Sequence, residues 1–139
     1  MREIKFRAWI KNEKKMVYGK DATSNAHFTD SFKYRKNEVV LMQYTGYKDR
    51  NEREVYESDI YAMEEYRYEE KTVTYWTVVW DEKEYGFSLV ANIEKSYRGE
   101  KYREDVYLPL RLIDGDRMKY AGNIYENPEL KESEVIENE

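Results

Sequence analysis

Three carboxylates, Asp49, Glu57 and Asp59, lie within eleven residues in the stretch LMQYTGYKDRNEREVYESDI (41–60). Converged to within about 5 Å, they could hold divalent cations for metal-assisted hydrolysis. Gly46, Lys48, Asp49, Asn51 and Asp59 could also present themselves to a substrate from one loop. A simpler reading is favoured. Gly46 supplies a permissive backbone, and Asp49 and Asn51 hydrogen-bond their own turn, the common use of such residues. Residues 45–52 are accordingly expected to be a strand-to-strand loop without catalytic groups, flanked by a buried Leu41 and a buried Tyr56.

Other chemistry finds little support. His27 is the only histidine, so a two-histidine metal site is excluded and at most one imidazole base is present. Its neighbours Asn25, Thr29 and Asp30 suit a solvated loop. No serine sits in a G-x-S-x-G elbow, and neither a dinucleotide fingerprint nor a phosphate-cradling P-loop occurs among the six glycines. Asp114-Gly115-Asp116 lacks the further alternating oxygens of a calcium loop and reads as a turn. The absence of cysteine removes disulfides, thiolate metal sites and thiol nucleophiles. No cofactor is expected.

The elements that would position these groups follow from composition and period. Leu, Ile, Val and Phe supply 27 of 139 residues, which by itself would warn of disorder. Fifteen Tyr and three Trp reverse that reading, because each buries a large ring while keeping a polar tip bonded. Such residues favour strands, so a mainly β domain with minor helix is expected. No apolar run approaches the roughly 20 residues of a membrane span, and MREIKFRAW lacks a signal-peptide core. A cytoplasmic protein without membrane contact is the expectation.

Residues 1–50 carry 12 basic and 6 acidic side chains, a net of +6, and residues 51–139 carry 12 and 23, a net of −11. The tail 126–139 alone holds a net of −5, equal to the whole chain, so the body is electrically balanced. That argues against a general nucleic-acid binder, which needs a basic field. A local surface of Lys33, Tyr34, Arg35 and Lys36 is the best candidate for nucleic-acid contact, with Trp9, Tyr18 and Phe32 as further rings beside basic residues.

Along the chain, EIKFRAW alternates Ile4, Phe6 and Ala8 against Glu3, Lys5 and Arg7, and MVYG (16–19) can return as its hairpin partner. EVVLMQY (38–44) and EVYESDIYAM (54–63) read as strands. TVTYWTVVW (72–80) is apolar or β-branched on both faces and should be a central strand, paired with FSLVA (87–91) and placing Val73, Val79 and Phe87 in the core. Residues 92–104 are weakly patterned and read as a long loop. Pro109 demotes 106–113 to an edge strand or helical turn, MKYAGNIY (118–125) forms a last strand, and Asn127-Pro128 is expected to open a short turn of helix. Six to eight short strands at hairpin spacing suit a small barrel or two packed sheets.

LMQYTGYKDRNEREVYESDI and GNIYENPEL resemble the signatures of the YopX family, small proteins of bacteriophages and prophages. MREIKFRAW and KKMVY are similar to the family's N-terminus, so the resemblance runs to Leu130. The motif positions are Gln43, Tyr44, Thr45, Gly46, Asp49, Tyr56, Glu57, Asp59, Gly122, Asn123, Tyr125, Glu126, Asn127 and Pro128. The resemblance implies an SH3-like small β-barrel, placed over 38–125; the residue patterns add an N-terminal β-hairpin and loop extension over 1–37 and a short cap with a flexible acidic tail over 126–139. It implies no enzymatic activity, and a setting inside the host bacterial cell. Glu52 and Ser58 stand where the family usually has Gly. Glu52 in a type I′ turn would cost about 1 kcal/mol, so a different or longer turn is expected there, and Ser58 implies that a tiny side chain fits and that positive φ is not essential there.

The function expected is that of a non-catalytic phage accessory module that binds a phage or host protein or its own copies. The tyrosines exceed what a small core can hold, and aromatic rings are enriched at interfaces. A homo-oligomer in which residues 1–20 take part is therefore expected.

Overall fold

The computed structural model describes residues 3–18, 38–130 and 134–137. Most of them are strand, which makes the chain mainly β, and they divide into two compact units, Met1–Glu57 and Ser58–Glu139.

The first unit is a four-stranded antiparallel sheet of β1 (Phe6–Ile10), β2 (Lys15–Tyr18), β3 (Val39–Lys48) and β4 (Glu54–Tyr56), in the order β2-β1-β3-β4. β1 pairs with β2 through a tight turn at 11–14 and with β3 on its other side. Its alternation suggested one wet face, yet Arg7 and Ala8 are both buried. A central strand has neighbours on both edges, and tyrosines here supply cover on the side that carries the charges. Leu41, expected in the core, is half exposed. It lies opposite Ala8, while its neighbour Met42 is the one that points inward. With residue period 2, an apolar run names the strand but not which face is covered.

The second unit holds β5 (Asp59–Arg67), β6 (Glu70–Asp81), β7 (Gly86–Tyr97), β8 (Glu100–Pro109), a 3-10 turn (Leu110–Asp114), β9 (Met118–Asn123) and β10 (Glu134–Glu137). The sheet order is β8-β7-β6-β5-β9, with β10 also paired to β6. β6 is central, as its two apolar faces required. Its buried residues are Val73, Trp76 and Val78, which with Ile60, Tyr61, Leu89, Ala91, Ile113 and Met118 make up the buried apolar set of this unit. Val79 and Phe87 are only half-buried. Phe87 instead packs edge-on against Trp80 at 5.2 Å.

Residues 92–104, read as a loop, are the distal half of a long β7–β8 hairpin. Pairing of β6 with β7 ends at Thr77–Val90, and from Ala91 onward β7 pairs with β8 alone among the described residues. A ribbon with water on both faces needs no apolar alternation, so its sequence carries no period-2 signal. Its tip is instead set by Arg98 (φ 51°) and Gly99 (φ 82°), a two-residue connection with both φ positive.

Candidate functional site

The motif stretch 43–57 builds a bulged hairpin whose polar side chains are used by their own backbone. Between the Tyr44–Tyr56 and Lys48–Glu54 pairs the β3–β4 register shifts, so Thr45, Gly46 and Tyr47 stand against Val55 alone. Gly46 takes φ 85° there, a region an L side chain enters only with strain. The Thr45 hydroxyl donates to the Val55 carbonyl (2.7 Å) and accepts from the Tyr47 N–H (3.1 Å), filling the gap in the ladder. Strand β3 therefore runs to Lys48, and the connection is 49–53 rather than the 45–52 expected.

Within that connection the buried Asp49 accepts the N–H groups of Asn51 (2.9 Å) and Arg53 (3.0 Å) on one carboxylate oxygen. Its own N–H donates to the Arg53 carbonyl, and its carbonyl accepts from Glu52. The turn is not type I′, since Asn51 keeps negative φ, but Glu52 still takes φ 63°. The network around Asp49 holds that strained residue in place. Ser58, where positive φ was not expected to be essential, takes φ 74°. Its N–H donates to the Val78 carbonyl and its carbonyl accepts from Ile124, so two ladders over-determine its backbone.

Glu57 is similarly engaged: its Oε1 accepts the Gln43 N–H (2.9 Å), its N–H donates to the Gln43 carbonyl, and its carbonyl accepts from Arg7 Nη2 (3.0 Å). Arg7 is 1% exposed, with its guanidinium 4.8 Å from the Tyr56 ring centre and 5.9 Å from that of Tyr18. Lys5 lies 5.2 Å from the Tyr44 ring centre and hydrogen-bonds Glu54. That bond is the main reason the Lys5 ammonium is pushed up to about 12, while burial pushes the Tyr56 phenol up to about 12 and raises Tyr44. Sequence reasoning missed this alternation of cations and tyrosine rings. Its signal was present in the two-residue spacing of Lys5, just before β1, and Arg7 within it, and in Tyr44 on β3 and Tyr56 on β4.

The second motif closes on itself. Asn123, 1% exposed, accepts the N–H groups of Tyr125 (3.1 Å) and Glu126 (2.8 Å) on Oδ1 and donates from Nδ2 to Glu126 Oε1 (2.8 Å). The Asn127 carboxamide accepts the Asn123 N–H at 3.2 Å, and a Cβ on Gly122 (φ 141°) would run into it. Asn127 and Pro128 thus make a turn, with Leu130 N–H on the Asn127 carbonyl, and no helix follows among the described residues. The Asn127 side chain reaches back to the strand end instead of forward to a cap. Asp59 is buried at the start of β5, opposite Asn123.

Among the described residues no group of three or more His, Asp or Glu is placed to hold a metal ion, and no helix is long and apolar enough to cross a membrane. His27, Lys33, Tyr34, Arg35 and Lys36 lie outside the described residues, so the proposed basic aromatic surface has no geometry here. Two shallow depressions occur in the second unit. One of about 440 Å³ is lined by Glu64, Glu65, Tyr66 and Arg117. Another of about 320 Å³ is lined chiefly by Tyr75, Val79, Trp80, Val90 and Tyr107.

The YopX protein family model matches residues 5–132. The chain belongs to the YopX family. The motif residues that the family resemblance picked out are, in this member, largely the ones that bond turns, bulges and strand ends. The crystal structure of protein EF1440 from Enterococcus faecalis is similar, with 25% sequence identity and a TM-score of 0.52, covering 95% of this chain and all of that one. No curated protein matches.

Proposed function

We propose that this YopX-family protein is a non-catalytic phage or prophage accessory protein with an SH3-like barrel core, acting in the host cytoplasm by binding its own copies and, through them, a phage or host protein. The observation that carries the reading is the β7–β8 ribbon. Every residue from Glu94 to Asp105 is exposed, and Tyr97 and Tyr102 present 65% and 44% of their surface to solvent. An isolated two-stranded ribbon is marginal in water, and tyrosines are among the residues enriched at interfaces. The non-catalytic part of the reading is supported by Asp49 and Glu57, whose carboxylates accept backbone N–H groups of their own unit.

Deleting residues 1–20 would remove β1 from between β2 and β3, so a milder test is preferable. The double variant Tyr97→Glu/Tyr102→Glu should melt like the parent but lose self-association in light scattering at tens of micromolar. An unaltered parent monomer at that concentration overturns self-association. An oligomer unaffected by the double variant removes the ribbon from the interface.

A further inference from the structure

Where β7 leaves β6, the second unit opens a depression on its outer face. Pairing of β6 with β7 ends at Thr77–Val90, and β7 continues with β8 into the ribbon. Opposed residues of antiparallel strands share a face. Thr77, Val90 and Tyr107 therefore form one row across three strands, followed by Asn92 and Asp105. Trp76, Val78 and Leu89 alternate to the other face and are buried. The outward rows line the depression of about 320 Å³, together with Tyr75, Val79 and Trp80. Trp80 is 44% exposed and Tyr107 53%.

The lining favours one ligand chemistry. Its walls are the rings of Tyr75, Trp80 and Tyr107, and among the described residues that line it Asp105 alone carries a charge. One Asp105 oxygen accepts Asn92 Nδ2 (3.0 Å), and no described residue forms an ion pair with this carboxylate. Arg103, on the same face, places its Nε and Nη2 on the side-chain and main-chain oxygens of Asn92 instead (2.6 and 3.1 Å). The surrounding unit, residues 58–139, carries 11 basic and 20 acidic side chains, a net of −9, so the wider field also attracts cations. An exposed carboxylate alone holds a cation weakly. Aromatic faces beside it add a second attraction through their quadrupoles. An anion would be repelled here, and a neutral apolar ligand would take water from Asp105 without replacing its bonds.

We infer that this depression at the root of the ribbon binds a cationic side chain, lysine or arginine, of a partner protein. Its volume is at the small end for ligand pockets, room for one side chain presented by a segment crossing the sheet. The site goes beyond the self-association proposed above and does not depend on it, since every residue named lies in one chain.

The probes are N-acetyl-lysine methylamide and N-acetyl-arginine methylamide, with N-acetyl-glutamine methylamide as the neutral comparison. Each is titrated into isotope-labelled full-length protein, and amide and indole N–H shifts are read by NMR. At least one cationic probe should give saturable shifts at Trp80, Asn92 and Asp105, with a Kd about tenfold or more below that of the neutral probe. Asp105→Asn keeps an acceptor oxygen for Asn92 while removing the charge, and should weaken that probe about tenfold. Glu104→Gln removes an equal charge from the opposite face of β8 and should leave its Kd unchanged. Equal binding of the neutral probe, an equal loss in Glu104→Gln, or no saturable shift by about 50 mM each overturns the inference. A monomer that binds the cationic probe keeps this site and removes only self-association.

Discussion

The bulged hairpin at 43–57 and the ribbon at 92–105 are comparably polar in sequence and opposite in what they do with it. In the hairpin, Thr45, Asp49 and Glu57 spend their oxygens on nearby backbone N–H and C=O groups, and Arg7 is sealed over tyrosine faces. In the ribbon, Lys95 pairs with Glu104, Asn92 donates to Asp105 (3.0 Å), and Arg103 Nε donates to Asn92 (2.6 Å), all in water. The first arrangement consumes polar groups to fix a backbone. The second leaves them, and the rings between them, available to another molecule. Polarity alone therefore does not mark a site; what matters is whether the fold has already used it.

Four experiments would break or sharpen this contrast. Arg7→Ala should have the largest effect, a loss of about 3 kcal/mol in urea unfolding, because it empties a buried position and strands the Glu57 carbonyl. An effect below about 1 kcal/mol would mean the guanidinium is not part of the packed structure. Asp49→Ala should follow, at about 1 kcal/mol, since the Asn51 and Arg53 N–H groups lose the buried carboxylate that accepts them. Any partner binding should survive it; lost binding at unchanged stability would turn Asp49 into a functional group.

The third experiment is alkaline. Lys5 and Tyr56 both have folded-state values raised to about 12, from 10.5 and 10.0 respectively. A raised folded value favours the protonated form, so this stability is fully present below about pH 10 and is lost as pH rises through about 12. The melting temperature, tracked by circular dichroism, should hold to pH 10 and then fall, less steeply in Tyr56→Phe. The smallest effect belongs to the ribbon. Lys95→Ala should leave the urea midpoint essentially unchanged, as exposed pairs contribute little. A larger loss would show that the ribbon is held by its charges.

Particular residues show how far sequence reading reached. Val73 and Tyr56 were legible as core because they sit in strands rich in β-branched and aromatic residues. Val78 displaced Val79 from the core because an apolar pair on adjacent positions leaves the phase of the strand undecided. The positive φ at Glu52 and Ser58 was not legible for another reason. Propensity says that L residues avoid φ > 0, yet the hydrogen bonds on either side outweigh a strain of about 1 kcal/mol each. The ribbon was illegible because solvent on both faces erases alternation.

By itself, the sequence determined that this chain is mainly β, that β6 is central, that tyrosine replaces aliphatic bulk, and that cysteine chemistry is absent. Those properties are sums over many residues, or strict exclusions, and they survive any detail of packing. Only the tertiary structure decided that Arg7 is buried, that Leu41 faces out, that β7 deserts β6, and that β10 takes the edge left behind. Each of these depends on which strand lies alongside which, and pairing partners far apart in the chain leave no local trace in the residues they join.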